Sequence, residues 1–307
     1  MKVIVIGNCT VDLSFPVPRF PRPGETMLAR GKTVDLGGKG ANQAVAASRF
    51  GAATLLAAPL GRDSEGDWAC RRLSEENLST DALLRVDGPT DQSIIYVASG
   101  GENCIVSTHR AAAQATPAWA EELLQRNAAR GDILLMQGNL PLATTLAALA
   151  EARRQAVTTV LNPAPIHYGY EDLFPLTDVA ILNEVEAAEL GTSADPVAAG
   201  GAILAGGVPQ VIVTLGRDGA ILIDQAGQRP IAAPDVAAVD TVGAGDVLCG
   251  AFVAALIHCL PPLAALRIAV EAASLAVTRE GTQSSFPSVT EADSILSRHD
   301  ERSSLFR

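Results

Sequence analysis

Short apolar runs rich in β-branched residues alternate along this chain with alanine-rich stretches of helical length. That rhythm restricts the fold to a mostly parallel sheet with helices on both faces. The runs are 3–6, 54–57, 133–136, 158–161, 179–182, 211–214 and 220–223, and the helical stretches are 41–50, 64–77, 117–129, 142–155, 184–190 and 196–205. Each run is apolar nearly throughout, as strands buried on both faces are. Two segments break the rhythm. Residues 9–36 carry Pro16, Pro18, Pro21 and Pro23 with sparse hydrophobics, and 91–109 contains alternating stretches at 93–97 and 103–107. Both read as antiparallel strands that leave the main sheet and return. They form either a small lid over the ligand edge, where it would exclude water from a reaction, or an ordinary pair of surface hairpins. No repeat or low-complexity linker divides the 307 residues. The expectation is therefore one α/β domain, 1–307, with a β-lid contributed by about 9–36 and 91–109.

With 48% hydrophobic and 19% charged residues the chain has ample material for a core. A net charge of −11 argues against nucleic acid, which demands a basic face. It does not exclude phosphorylated small ligands, because a local pocket of N–H groups and one or two cations inverts the field. Cys9, Cys70, Cys104, Cys249 and Cys259 are odd in number and scattered, with no Cys-x-x-Cys pair. They read as reduced thiols, not as disulfides or zinc ligands. The apolar opening at 1–7 is too short for a secretory signal, and no apolar stretch is long enough for a membrane span. The expected protein is cytoplasmic, with no membrane or nucleic-acid partner.

Most of the chemistry lies in Asp240-Thr241-Val242-Gly243-Ala244-Gly245-Asp246, followed by the apolar run 247–257. Small residues in a row let a ligand approach the backbone. At the start of an amphipathic helix their N–H groups would point outward as an anion site. A carboxylate beside an anion pocket repels the anion unless it has a task. Proton abstraction from a hydroxyl that attacks phosphorus is one such task for Asp246. A capped helix with an acid in its first turn accounts for Asp246 alone, but accounts poorly for Gly243 and Gly245, since glycine costs a helix about 1 kcal/mol against alanine.

Leu36-Gly37-Gly38-Lys39-Gly40-Ala41-Asn42-Gln43-Ala44 opens the first long helix. Gly37 and Gly38 admit a small polar ligand to the backbone, and Lys39 and Asn42 offer donors within one turn. The spacing to Lys39 is not that of a Walker loop, and no Ser or Thr follows it. Thr214-Leu215-Gly216-Arg217-Asp218-Gly219 joins two strand runs and suffices as a tight turn. Asn183-Glu184-Val185-Glu186 reads as an N-cap with its capping-box acid, or as a polar pair that places hydrated Mg²⁺ through water.

Taken in order, these pieces together with Asn162-Pro163-Ala164-Pro165 resemble the ribokinase family of carbohydrate kinases, also called the PfkB family. The resemblance runs over nearly the whole chain, and the wording of 37–43 is closer to ribokinases than to adenosine kinases or fructokinases. It implies a three-layer α/β sandwich with a mostly parallel central sheet and a small β-sheet lid. It also implies ATP with Mg²⁺, and phosphorylation of the terminal hydroxymethyl of a small sugar, with D-ribose the leading candidate. By the same resemblance Asp246 would be the general base, and the N–H groups of Gly243, Ala244 and Gly245 the anion hole. Thr10, Asp12, Gly38, Lys39, Asn42 and Asn139, with Asp246, fall at sugar-binding positions. Asn183, Thr214, Gly216 and Gly245 fall at nucleotide-binding positions, and Glu186 lies near Mg²⁺ through water. A K⁺ site would use Asp240, Val242, Ala276, Arg279, Gly281 and Ser285, largely through backbone oxygens. A homodimer joined through the lids is implied as well, since pairing would bury exposed edges and an apolar face.

Departures from the family pattern cluster at the sugar. Thr10 stands where an Asn is usual, Asn139 where a Glu follows Met136-Gln137, and Ala111-Ala112-Ala113 where Gly-Ala-Asn is usual. The reaction type is untouched by them, whereas the sugar is not. The alternative is a related kinase for another ketose, a deoxysugar or a nucleoside. A nucleoside would call for aromatics, of which the lid offers Phe15, Phe20 and Tyr96. A non-catalytic sugar sensor is more remote, because Asp246 is intact. A nucleotide-dependent oxidoreductase lacks its Gly-x-Gly-x-x-Gly, since residues 5–10 read Val-Ile-Gly-Asn-Cys-Thr.

Overall fold

The computed structural model describes residues 1–99 and 102–299, so positions 100–101 of the second lid segment and 300–307 of the chain lie outside it. The strands, in chain order, begin with β1 (Val3–Ile6), β2 (Thr10–Val17), β3 (Thr33–Gly37), β4 (Thr54–Ala57), β5 (Pro59–Gly61), β6 (Leu84–Val86) and β7 (Gln92–Ala98). They continue with β8 (Asn103–Ser107), β9 (Ile133–Gln137), β10 (Thr158–Asn162), β11 (Val179–Asn183), β12 (Gln210–Thr214), β13 (Ala220–Asp224) and β14 (Gly227–Ile231). The helices are α1 (Lys39–Arg49), α2 (Ser64–Glu75), α3 (Pro117–Asn127), α4 (Leu142–Arg154) and α5 (Glu184–Gly191). After them come α6 (Pro196–Ala205), α7 (Ala244–Ile257), α8 (Pro262–Ala276) and α9 (Val289–His299).

The eight-stranded sheet has the order β14-β13-β12-β11-β10-β9-β1-β4. It is parallel from β4 to β12, and β13 and β14 close one edge antiparallel. Period-two alternation splits its side chains between two cores. Val3, Val5, Leu135, Ile181 and Ile212 pack with α1, α7 and α8 on one face. Ile4, Ile6, Leu134, Leu182 and Val213 pack with α3, α4 and α6 on the other. The expected three-layer sandwich results, and each parallel strand is apolar on both sides because each side has a helix layer to meet.

Every expected strand run is present, and several extend one residue further. Gln137, Asn162 and Asn183 end their strands as polar side chains while their backbones stay in the ladder, Asn162 opposite Gln137 and Asn183 opposite Thr214. Strand β14, with Pro230 on the sheet edge where no ladder N–H is needed, lies outside the runs that patterning identifies. So do α8, α9 and the β5–β6 pair. Helix α7 differs from the amphipathic expectation. Residues 246–255 are all buried, between α1 on one side and α8 on the other, so the helix has no polar face to present. Its approach to α1 is closest at Gly250, where a Cβ would lie 2.5 Å from that of Ala46 and 2.6 Å from the Gln43 carbonyl oxygen.

The lid is a separate four-stranded sheet, β3-β2-β7-β8. Its two hairpins are antiparallel as expected, but β2 and β7 run parallel, which corrects the expectation of antiparallel strands throughout. Both hairpins start from the body of the molecule, β2 just after β1 and β7 just after Asp91, whose carbonyl accepts from the Val11 N–H at 3.0 Å. Two strands leaving the same edge outward must lie parallel. Cys9, Cys70, Cys104, Cys249 and Cys259 are all free thiols. Among the described residues no helix is long and apolar enough to cross a membrane.

Candidate active site

Ligands of open parallel sheets bind beyond the carboxyl ends of the strands, and the polar residues of this chain gather there. Asn8 follows β1, Gln137 and Asn139 lie at the end of β9, Asn162 ends β10, Asn183 ends β11 and Thr214 ends β12. Two cavities open along this edge. One, of about 630 Å³, is lined by Thr10, Asp12, Gly38, Lys39, Asn42, Asn139 and Asp246, among others. The other, of about 730 Å³, is lined by Asn183, Thr214, Gly216 and Gly245, with apolar walls from Leu248, Val270 and Val277. The two sets singled out in the sequence are thus brought together separately, and the turn 241–246 divides them. Thr241 lines both; Gly243 and Asp246 face the first, and Ala244 and Gly245 the second.

The turn depends on Gly243, the N-cap of α7, which has φ +79° and whose Cβ would lie 2.7 Å from the Phe286 ring. A Cβ on Gly245 would meet nothing within 4 Å, so packing does not require glycine there. The space in front of Gly245 belongs to the larger cavity. At a helix N-terminus such space suits an anion. The Ala244 N–H is partly taken by the Thr241 carbonyl at 3.3 Å, which leaves Gly243 and Gly245 as the less engaged donors of the expected anion hole.

Asp246 is buried, and amides reach both of its oxygens. Oδ2 accepts from Asn42 Nδ2 at 3.0 Å and Oδ1 from Gln43 Nε2 at 3.0 Å, while Lys39 Nζ lies 3.8 Å from Oδ1. The Asp246 carboxylate holds the Lys39 ammonium above its usual range. Asp12 accepts from Thr10 Oγ1 at 2.7 Å. Burial pushes its carboxyl above the usual carboxylate range, against hydrogen bonds from Thr10 and Ser93. Gly38, at φ +89°, takes a conformation that favours glycine, and a Cβ there would meet Thr10 N at 2.9 Å. Asn139 turns its Oδ1 inward, buried and without a partner, while His109 Nε2 donates to its backbone carbonyl at 2.7 Å.

Asn183 and Glu186 form the capping box, each accepting the other's backbone N–H, at 2.8 and 2.9 Å. Glu186 lines neither cavity. Burial raises its carboxyl pKa, countered in part by Lys39. Asp240 ties the turn to the loop after α8, its carboxylate accepting from the Val242 N–H at 3.0 Å and the Gly281 N–H at 3.1 Å. The side chains of Arg279 and Ser285 turn away, to Glu291 and to the Thr282 carbonyl, and the Ala276 carbonyl accepts from the Arg279 N–H at 3.1 Å. Apart from the Asp240 carboxylate, these residues would meet a cation there through backbone oxygens. Among the described residues no group of His, Cys, Asp and Glu forms a metal cluster.

A family model for pfkB family carbohydrate kinases matches residues 1–289. The chain belongs to that family. The ribokinase of Haemophilus influenzae is 34% identical over 293 residues, covering 92% of this chain and 94% of that protein. The ribokinase structure from Thermotoga maritima superposes with a TM-score of 0.89 at 30% identity, covering 97% and 99% of the two chains. That of Arabidopsis thaliana, complexed with ribose and ATP, gives 0.87 at 26%, covering 96% and 98%. This carbohydrate kinase is an ATP-dependent sugar phosphotransferase.

Four amides of the kinase carry no role in the motifs: Gln43, Gln137, Asn162 and Gln283. Gln43 and Asn162 stand inside motif segments, and all four are buried within hydrogen-bonding distance of Asp246 or its donors. The signals for them in the sequence are the places of Gln43 and Asn162 within those motif segments.

Burial of Asp12 generates a pH prediction. Its native pKa lies above its unfolded value, so the native state binds the extra proton between the two, and stability falls as pH rises through that interval. Below the unfolded value of about 3.9 the penalty is absent. Asp12→Asn removes it. The Tm gain of the variant should be largest at neutral pH and vanish toward about pH 4. A gain that does not change with pH, or a loss at neutral pH, contradicts a desolvated carboxylate.

Proposed function

We propose that the protein transfers the γ-phosphoryl group of ATP to the terminal hydroxymethyl of D-ribose, with Asp246 as general base. One observation carries the reading: the turn 241–246 divides two cavities, with Asp246 on one side and the open face of Gly245 on the other. A hydroxyl beside Asp246 and a phosphate before Gly243 and Gly245 would then approach across a single turn. The Arabidopsis relative complexed with ribose and ATP supports this pairing of substrates. Among the described residues no Phe, Tyr or Trp lines the smaller cavity, and Phe15 and Tyr96 of the lid face each other at 6.2 Å. The rings that do line that cavity are the imidazoles of His109 and His167. Thr10, Asp12, Gly38, Lys39, Asn42 and Asn139 would meet the sugar, and Asn183, Thr214, Gly216 and Gly245 the nucleotide.

Mg²⁺, when bound with ATP, would offset charge on the transferring phosphoryl oxygens. Glu186 would hold it through water, with the carboxylate oxygen that the cap does not use. K⁺ would sit among Asp240, Val242, Ala276, Arg279, Gly281 and Ser285, of which the Asp240 carboxylate ties Val242 to Gly281. The unit is read as one kinase domain whose lid, from 9–36 and 91–109, joins a second copy. Val34, Ile94 and Val106 lie in one cross-strand row of the lid and are exposed, and pairing would cover them. Sedimentation at micromolar concentration reads that state, and a monomer contradicts it.

Coupled ADP release tests the chemistry. Asp246→Asn should keep ATP binding and lose roughly 10²–10⁴ in turnover, the usual contribution of a positioned base. Gly245→Ala should melt at or above the wild type, since its Cβ meets no protein atom and alanine suits the helix better, yet lose at least about tenfold in turnover as the methyl enters the anion's space. Near-normal turnover in both removes the turn from the reaction.

The sugar pocket gives a second outcome. Asn139 offers an unpartnered acceptor where a charged one is usual in the family, and mispaired buried groups cost about 1–3 kcal/mol. Ribose should be phosphorylated less efficiently than by a typical ribokinase. Asn139→Glu with Thr10→Asn should raise kcat/KM for ribose relative to other pentoses and ketoses. High ribose efficiency in the wild type, harmed by the double change, would show that these positions do not set specificity. In the same assay K⁺ should stimulate more strongly than Na⁺, and equal rates discard the cation site.

A further inference from the structure

The Asp246 carboxylate accepts hydrogen bonds from two amides of α1, and the two are not equivalent. Asn42 donates to Oδ2, lines the sugar cavity, and is steadied by Gln283, whose Nε2 donates to its Oδ1 at 3.0 Å. Gln43 donates to Oδ1, is wholly buried, and lines neither cavity. Its amide is fixed at both ends. Nε2 also donates to Asn162 Oδ1 at 3.1 Å, and Oε1 accepts from Gln137 Nε2 at 2.8 Å. Asn162 is held in turn by donating to the Ile181 carbonyl at 2.9 Å. A run of amides thus leads from the ends of β9, β10 and β11 to one oxygen of the carboxylate. Amides neither take up nor release protons at neutral pH, so this support does not change as the reaction proceeds.

We infer that Gln43, anchored by Gln137 and Asn162, is a positioning residue that fixes Oδ1 of Asp246 and leaves Oδ2 as the oxygen that meets the sugar's reacting hydroxyl. The inference rests on Asp246 being the base. When a sugar enters, Asn42 can exchange Oδ2 for a sugar hydroxyl, because it lies on the cavity wall. Gln43 has no such exchange open to it. The Lys39 ammonium, 3.8 Å from Oδ1, stabilises negative charge on that same oxygen and makes it the less basic of the two. The hydroxyl proton passes to Oδ2. The O–H electron pair forms the new bond to phosphorus, and the P–O bond to the ADP oxygen breaks with its electrons leaving on ADP.

Two near-isosteric changes separate positioning from packing. Gln43→Met keeps the volume and removes the donor. It should lower kcat by roughly 10–100-fold while KM for ribose and for ATP stays within about threefold, the pattern of an interaction that matters only in the transition state. Gln43→Glu sets a second carboxylate against Oδ1. It should move the acidic limb of the kcat profile upward by at least about one pH unit, because two carboxylates in contact resist ionising together. If position 43 tolerates neither change, Gln137→Met reports in the same direction with a smaller loss. A lowered melting temperature with wild-type kcat and an unmoved limb overturns positioning. Asp246→Asn, measured beside them, separates the two layers. Retained activity there sinks the base and this inference with it, whereas its loss beside wild-type rates at 43 and 137 sinks the positioning alone.

Discussion

Asp246 stands in the first turn of a helix whose following residues are buried to 255, and a carboxylate there must be matched by donors or the packing fails. The match comes from α1, which packs along α7 and turns Asn42 and Gln43 toward it. That contact constrains the rest of the molecule. It requires the close approach at Gly250, and it requires polar ends on β9 and β10 to hold Gln43. The edge where β-strands end is thereby both the support of the carboxylate and the floor of the ligand cavities.

The same turn is the reason one chain presents two cavities and not one. Gly243 starts α7 in a left-handed conformation against Phe286, and Gly245 and Asp246, consecutive on that helix and about 100° apart around it, line different cavities. Phosphoryl transfer needs an acceptor hydroxyl, a base and an anion cradle within a few ångströms, with little covalent work left for the protein. Gly245 lines the larger cavity with no protein atom within 4 Å of where its Cβ would lie, so a ligand there can approach its backbone.

The parallel sheet was legible because strands covered by helices on both faces are apolar at every position, and few arrangements besides a doubly covered sheet produce such short apolar runs in alternation with helices. Polar strand ends were not legible, since Gln137, Asn162 and Asn183 break the apolar run while leaving the backbone ladder intact. The lid's two hairpins showed in the alternation at 93–97 and 103–107. Their parallel junction did not, because it is set by where the chain leaves the body and not by any local pattern. Asn183 and Glu186 were legible as a cap and are one. The residues at 10, 12, 38, 39, 42, 139 and 246 gather in one cavity as their motifs implied. Gln43 escaped because amides inside a helix carry no pattern of their own until a partner 203 positions away is in place.

The most direct measurement is a crystal structure of the protein with ribose and a non-hydrolysable ATP analogue. The expected result places the terminal hydroxymethyl oxygen within hydrogen-bond reach of Asp246 Oδ2, about 2.6–3.2 Å. Gln43 should still be on Oδ1, and the γ-phosphate before the N–H groups of Gly243 and Gly245. A sugar that turns another hydroxyl to Asp246, or a γ-phosphate seated away from that turn, contradicts the central claim that one turn brings the two substrates together.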